Sequence, residues 1–197
     1  MCIRDRTCIS AIPLYPGYHP QQQVVFQYSL HGMPALSGEV SHSEHLSITS
    51  TDPALPLLEQ LRSDLGAEGS VLVWNKAFEM SRNREMAELH PPHAGFLEQL
   101  NQRIEDLGDV ISRGIYLHPG FKGSWSLKNV LPAMLPGLSY DGMPIQQGGQ
   151  ASLIWWQLRF GQVNDTDRAS LVEAMLRYCE LDTWAMVAIL REFWKLV

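Results

Sequence analysis

Tyr178 and Asp182 stand one helical turn apart on a stripe that ought to be apolar. Leu171, Met175, Tyr178, Asp182, Met186, Ile189 and Phe193 follow one another in steps of three and four, which defines one face of a helix turned toward the interior. A carboxylate on such a face is costly unless a metal, a cation or several donors receive it, and the phenol one turn earlier shares that face. The pair reads as a site; the structural alternative is a buried hydrogen-bonded couple. In a second segment, Val73-Trp74-Asn75-Lys76-Ala77-Phe78-Glu79, a buried apolar strand ends in Asn75 and passes straight into a helix with Glu79 in its first turn. Strand C-termini are where α/β sheets present ligands. The bland alternative is that Asn75 caps the helix and Glu79 answers its dipole.

The elements that must position these residues follow from periodicity and turn signals. Residues 23–31 alternate and predict a strand; residues 39–49 predict a second, antiparallel to it across the Gly32 to Gly38 turn. Asp52-Pro53 opens a helix that runs to Gly66. The short apolar run 70–74 predicts a central strand covered on both faces. Helical spacing resumes over 76–89, breaks at Pro91-Pro92, and returns over 94–107, 126–135, 150–160 and 165–196. Residues 109–122 read as irregular, with a short strand at 115–117. Hairpin strands, a buried strand and many helices together predict an α/β domain with a mixed sheet.

A length of 197 residues suits one domain. Fifteen basic against 21 acidic residues give a net charge of −6. That total argues against gripping nucleic acid by bulk charge alone, yet it is compatible with a carboxylate cluster that binds cations. Three cysteines without metal-type spacing predict a reducing, cytoplasmic setting, and no apolar run reaches the roughly 18 residues of a membrane span. His42-x-x-His45 and His90-Pro-Pro-His93 are read as ordinary surface histidines, because three-residue spacing on a strand sends two rings to opposite faces.

Asn75-x-x-Phe78-Glu79 resembles the second motif of the DnaQ-like 3′→5′ exonucleases, with Glu79 where Asp is usual, and Tyr178-x-x-x-Asp182 resembles their third motif in its tyrosine variant. Arg103-Ile104-Glu105-Asp106-Leu107 and Ser124-Trp125-Ser126-Leu127-Lys128 are similar to segments that lie between those motifs. The phrases Ala11-Ile12-Pro13, Phe26-Gln27-Tyr28-Ser29-Leu30-His31, Trp74-Asn75-Lys76 and Leu181-Asp182-Thr183 resemble the bacterial family of domain of unknown function 2779, over nearly everything from Ala11 onward. The resemblance implies an RNase H-like α/β fold and a two-metal phosphodiester hydrolase acting on a DNA or RNA 3′ end, with two Mg2+ or Mn2+ ions held by carboxylates. Glu79 and Asp182 would be metal ligands, and Asp106 a further candidate, a solvated charge run being its alternative. Tyr178 would orient the attacking water and Asn75 support the site. Phe78, Ser126 and Lys128 would touch substrate. The resemblance also implies a RecB-like nuclease domain in the same full-length chain, and no membrane.

The chain departs from that pattern at the first motif, Asp-x-Glu at the end of an opening strand, which should lie just before Ala11. Residues 1–10 contain Asp5 but no Asp-x-Glu. The expectation is therefore a domain over residues 11–197, preceded by a non-native leader, with its first central strand missing, a sheet edge exposed and the nuclease step impaired. The alternative function is a module on the same fold that binds nucleic acid or protein without cutting.

Overall fold

In the computed structural model, which describes residues 1–161 and 163–196, the segment expected to lie outside the fold forms the middle strand of a sheet. That strand, β1 (Cys2–Ile9), is flanked by β2 (Gln23–Gly32) on one side and β4 (Val71–Val73) on the other. With β3 (Ser41–Leu46) and β5 (Ile104–Asp106) at the edges, the order is β3-β2-β1-β4-β5. The β1–β2 and β2–β3 pairs are antiparallel, and β4 runs parallel to both β1 and β5. The predicted loss of the central strand and exposure of its edge are thus corrected. Alternation identifies strands with one wet face, and both faces of β1 are covered. Its Asp5 and Arg6 side chains are buried, the latter against Asp182, which no period-2 pattern reveals.

Helices cover both faces of the sheet. On one face, Ile3, Val25, Tyr28 and Leu30 pack with Leu57, Leu58 and Leu61 of α1 (Ala54–Asp64). Met86 of α2 (Lys76–Leu89) and Leu97 and Leu100 of α3 (Ala94–Arg103) complete that layer. Beyond β5 lies a single turn, α4 (Asp109–Ser112). On the other face, Cys8 and Phe26 meet Val130 and Leu131 of α5 (Leu127–Met134), Trp155 of α6 (Gly148–Phe160), and Met175, Met186 and Ile189 of α7 (Asp165–Trp194). Phe26 stacks on Trp155 with centroids 5.0 Å apart.

Two element predictions are corrected. The helix expected over 94–107 stops at Arg103, and residues 104–106 become β5. The Arg103 fork donates to the carbonyls of Gly66, Glu68 and Gly69 at 2.6–2.8 Å, which fastens the α1–β4 loop and turns the chain into the sheet. No strand forms at 115–117, where Ile115 and Leu117 are about three-quarters exposed. Among the described residues no helix is long and apolar enough to cross a membrane.

Candidate functional site

Alternation along β1 puts Arg4 and Arg6 on one face of the sheet, and the register slips just past Arg6. Such irregularities re-aim side chains in a central strand. Helix α7 crosses this face. It is seated by Gln27 Nε2, which donates to the Met175 carbonyl at 2.9 Å, and by Cys179 Sγ, 3.5 Å from the Arg4 carbonyl. Tyr178 and Asp182 are both buried beneath it, as their helical spacing predicts.

What receives the Asp182 carboxylate is a guanidinium. Arg6 Nη2 pairs with Asp182 Oδ2, and the phenol of Tyr140 donates to Oδ1 at 2.5 Å. Arg6 also lies over the Tyr178 ring, 4.2 Å from its centroid. Burial opposes the charge of Arg6, but Asp182 together with Cys179, Tyr178 and Tyr140 outweighs it and holds its pKa above the ordinary value. Burial, and then the neighbouring Asp182 charge, raise the pKa of Tyr140, so it stays a hydrogen-bond donor. The Tyr178 phenol is likewise raised, by burial first. Lys128 Nζ sits 5.8 Å from the Tyr140 and Tyr178 ring centroids and donates to the Gln146 carbonyl. Burial lowers its pKa, partly offset by Asp182.

Glu79 meets the other arginine. Its Oε1 accepts from Arg4 Nη1 at 3.0 Å, and it is 2% exposed. Burial pushes its pKa up to about 8, against the pull of Arg4 and with the help of the adjacent Asp5. Asp5, buried as well, is pushed up to about 6 by burial first. Arg4 and Arg82 both lie over the Phe78 ring, at 5.8 and 5.3 Å.

A cavity of about 380 Å³ opens onto Arg4, Arg6, Lys128, Asn75, Ser126, Tyr178 and Asp182, with Trp74 and the half-exposed Trp125 on its wall. A second hollow of about 430 Å³ lies across Arg4 and Arg6 from it and reaches Phe78 and Gly148 at the start of α6. The fold therefore brings Asn75, Phe78, Ser126, Lys128, Tyr178 and Asp182 to these two hollows, with Glu79 buried behind Arg4. Asp106 is placed differently: its two oxygens accept from the Lys76 and Gly108 amides at 2.7 and 2.9 Å, and it pins the β4–α2 and β5–α4 connections. Asn75 also does what the bland alternative asked, since its Oδ1 accepts from the Phe78 amide at 3.1 Å and caps α2.

Sequence reasoning missed Arg4, Arg6 and Tyr140. For the arginines a signal existed: Arg4-Asp5-Arg6 has the spacing of Asp-x-Glu with the charge inverted. For Tyr140, on a loop, the sequence held none.

Residues 6–126 match the family described as Domain of unknown function (DUF2779). The chain is also similar to an uncharacterized protein, UU173, of Ureaplasma parvum serovar 3, at 29% identity over 140 residues, which is 63% of this chain and 20% of that protein. The chain thus spans about a fifth of the length of the curated relative it matches. No solved structure matches it.

Proposed function

Because this chain belongs to the DUF2779 family, we propose that it is an RNase H-like, exonuclease-type domain whose cleft binds a nucleic-acid 3′ end and, as the chain stands, does not cut it. One observation carries this reading. The two carboxylates that a DnaQ-like site would offer to metal, Glu79 and Asp182, each hold an arginine from the central strand. The mixed sheet with helices on both faces supports the fold assignment.

Two-metal hydrolysis needs carboxylate oxygens that face the cations, so that one ion activates water and the other stabilises the leaving oxygen. Both Asp182 oxygens are engaged, Glu79 is bound to Arg4, and two guanidiniums would repel a pair of divalent ions. The donor set does not fit Mg2+ or Mn2+ there. It suits a phosphate instead: Arg4, Arg6 and Lys128 face one cavity, guanidinium forks match phosphate oxygens, and the half-exposed Trp125 offers a face on which a base can stack. In this reading the domain works in the cytoplasm, and a RecB-like nuclease domain of the same longer protein is its partner.

The test is anisotropy with a 5′-labelled single-stranded oligonucleotide. Binding should weaken steeply with salt and again on Lys128→Ala, with no Mg2+- or Mn2+-dependent shortening. The double variant Arg4→Asp, Arg6→Glu should acquire Mn2+-dependent 3′ trimming that Asp182→Asn removes. Trimming by the unaltered chain would refute the non-cutting reading, and absence of salt-sensitive binding would refute the nucleic-acid reading.

A further inference from the structure

On the same sheet face, but between β2, β3 and α7, lies a second polar cluster that the cleft does not use. His31 and His42 are direct cross-strand partners, as are Ser29 and Glu44, so all four share the face crossed by α7. Helix α7 contributes Glu180 and Thr183. A ring nitrogen of His31, one of His42 and a carboxylate oxygen of Glu180 lie within 4.8 Å of one another. The histidine that matters to His42 is thus His31 across the ladder, while His45 points to the opposite face and stacks on Tyr28.

One hydrogen-bond arrangement of the cluster leaves a free nitrogen on each ring. Thr183 has one hydroxyl hydrogen, and it donates to the Glu180 carbonyl, an acceptor only, at 3.0 Å. In that arrangement Thr183 Oγ1 accepts from His31 Nδ1 at 2.7 Å and from Ser29 Oγ at 2.8 Å. Ser29, its hydrogen spent, accepts from His42 Nε2 at 3.0 Å. His31 Nε2 and His42 Nδ1 are left as lone-pair nitrogens, and the latter faces Glu180 Oε1 at 3.9 Å. Outer hydrogen bonds of this kind orient imidazoles in metal sites. Glu44 Oε2 lies on the other side of the His42 ring, 3.9 Å from its Nε2, buried and with no hydrogen-bond partner among the described residues.

We propose that His31, His42 and Glu180, with water completing the coordination, bind one borderline divalent cation of the zinc class and so tie edge strand β3 to α7. Two imidazoles and a carboxylate select such an ion over magnesium. Ligands around a tetrahedral zinc at 2.0–2.1 Å stand about 3.3 Å apart. The three ligand atoms, now within 4.8 Å of one another, must therefore close by up to ~1.5 Å, which asks the half-exposed Glu180 to change rotamer and the stacked His31 and His42 rings to turn toward a common point.

The chelator-treated, intact chain titrated with Zn2+ by calorimetry should bind one equivalent, and Co2+ should give visible absorption without thiolate charge transfer. His42→Ala and Glu180→Ala, both at partly solvated positions, should each weaken binding by more than ~10-fold, the least that loss of even an outer partner costs. Zn2+ should raise the melting temperature of the parent and not of His42→Ala, while Lys128→Ala in the nucleic-acid cleft should leave both effects intact. No zinc binding, binding that survives both substitutions, or a cobalt thiolate band from the cysteines would each overturn the proposal.

Discussion

Arg6 illustrates how one side chain sets the chemistry of a site. Its guanidinium neutralises Asp182, covers Tyr178 and faces the cavity, so its removal would do more than delete a charge. Breaking a buried ion pair leaves the other charge unpaired, and Arg6→Ala should destabilise the fold by about 3–5 kcal/mol. Adding Asp182→Asn should recover part of that loss. The check is a double-mutant cycle by urea unfolding, in which additivity within ~0.5 kcal/mol would mean that the two side chains are not coupled. Tyr140→Phe removes the other donor to Asp182 and should cost roughly 1–3 kcal/mol. Tyr178 and Asp182 were legible in the sequence because each is a polar residue where an apolar one was due, and Asn75 and Glu79 because they follow the C-terminus of a buried strand. Arg4 and Arg6 were hidden because a charged run near a terminus looks solvated until a sheet is built around it.

At the scale of elements, the boundaries that sequence placed well are those set by local chemistry. Asn75 caps α2, which begins at Lys76 and ends at Leu89 before Pro91-Pro92, as the periodicity and breakers require. Strand β5 was read as the end of a helix because Ile104-Glu105-Asp106 has no strand signal of its own; pairing with β4 creates it. Arg103 marks that switch. Its three hydrogen bonds to the loop carbonyls of Gly66, Glu68 and Gly69 need a planar fork, which lysine lacks. Arg103→Lys should therefore lower stability by roughly 1–3 kcal/mol and speed amide exchange in β5 and the 66–69 loop more than in α7. Uniform exchange across the chain would show that Arg103 holds nothing in particular.

For the molecule as a whole, two buried carboxyls give stability a distinctive pH dependence. Folded, Asp5 and Glu79 keep their protons up to about 6 and about 8, well above their ordinary values of 3.8 and 4.5. These two carboxyls then bind more protons in the folded state than in the unfolded one between roughly pH 4 and 8, so their contribution to stability falls as pH rises through that window. His31, its pKa lowered by burial from 6.5 to about 4, opposes them in the lower part of it. Glu79→Gln should flatten the upper part of the slope, and melting temperatures of parent and variant from pH 5 to pH 9 provide the measurement. A parallel pair of curves would show that Glu79 titrates as it does in the unfolded chain. The sequence by itself determined an α/β domain, most of its helices, and a buried phenol and carboxylate that need a partner, because periodicity and capping are local properties. Only the tertiary structure decided that the partner is an arginine, that β1 is the central strand, and that His31 and His42 face one another. Those outcomes depend on pairing between strands and helices far apart in the chain, where each charge is stabilised by what the fold places next to it.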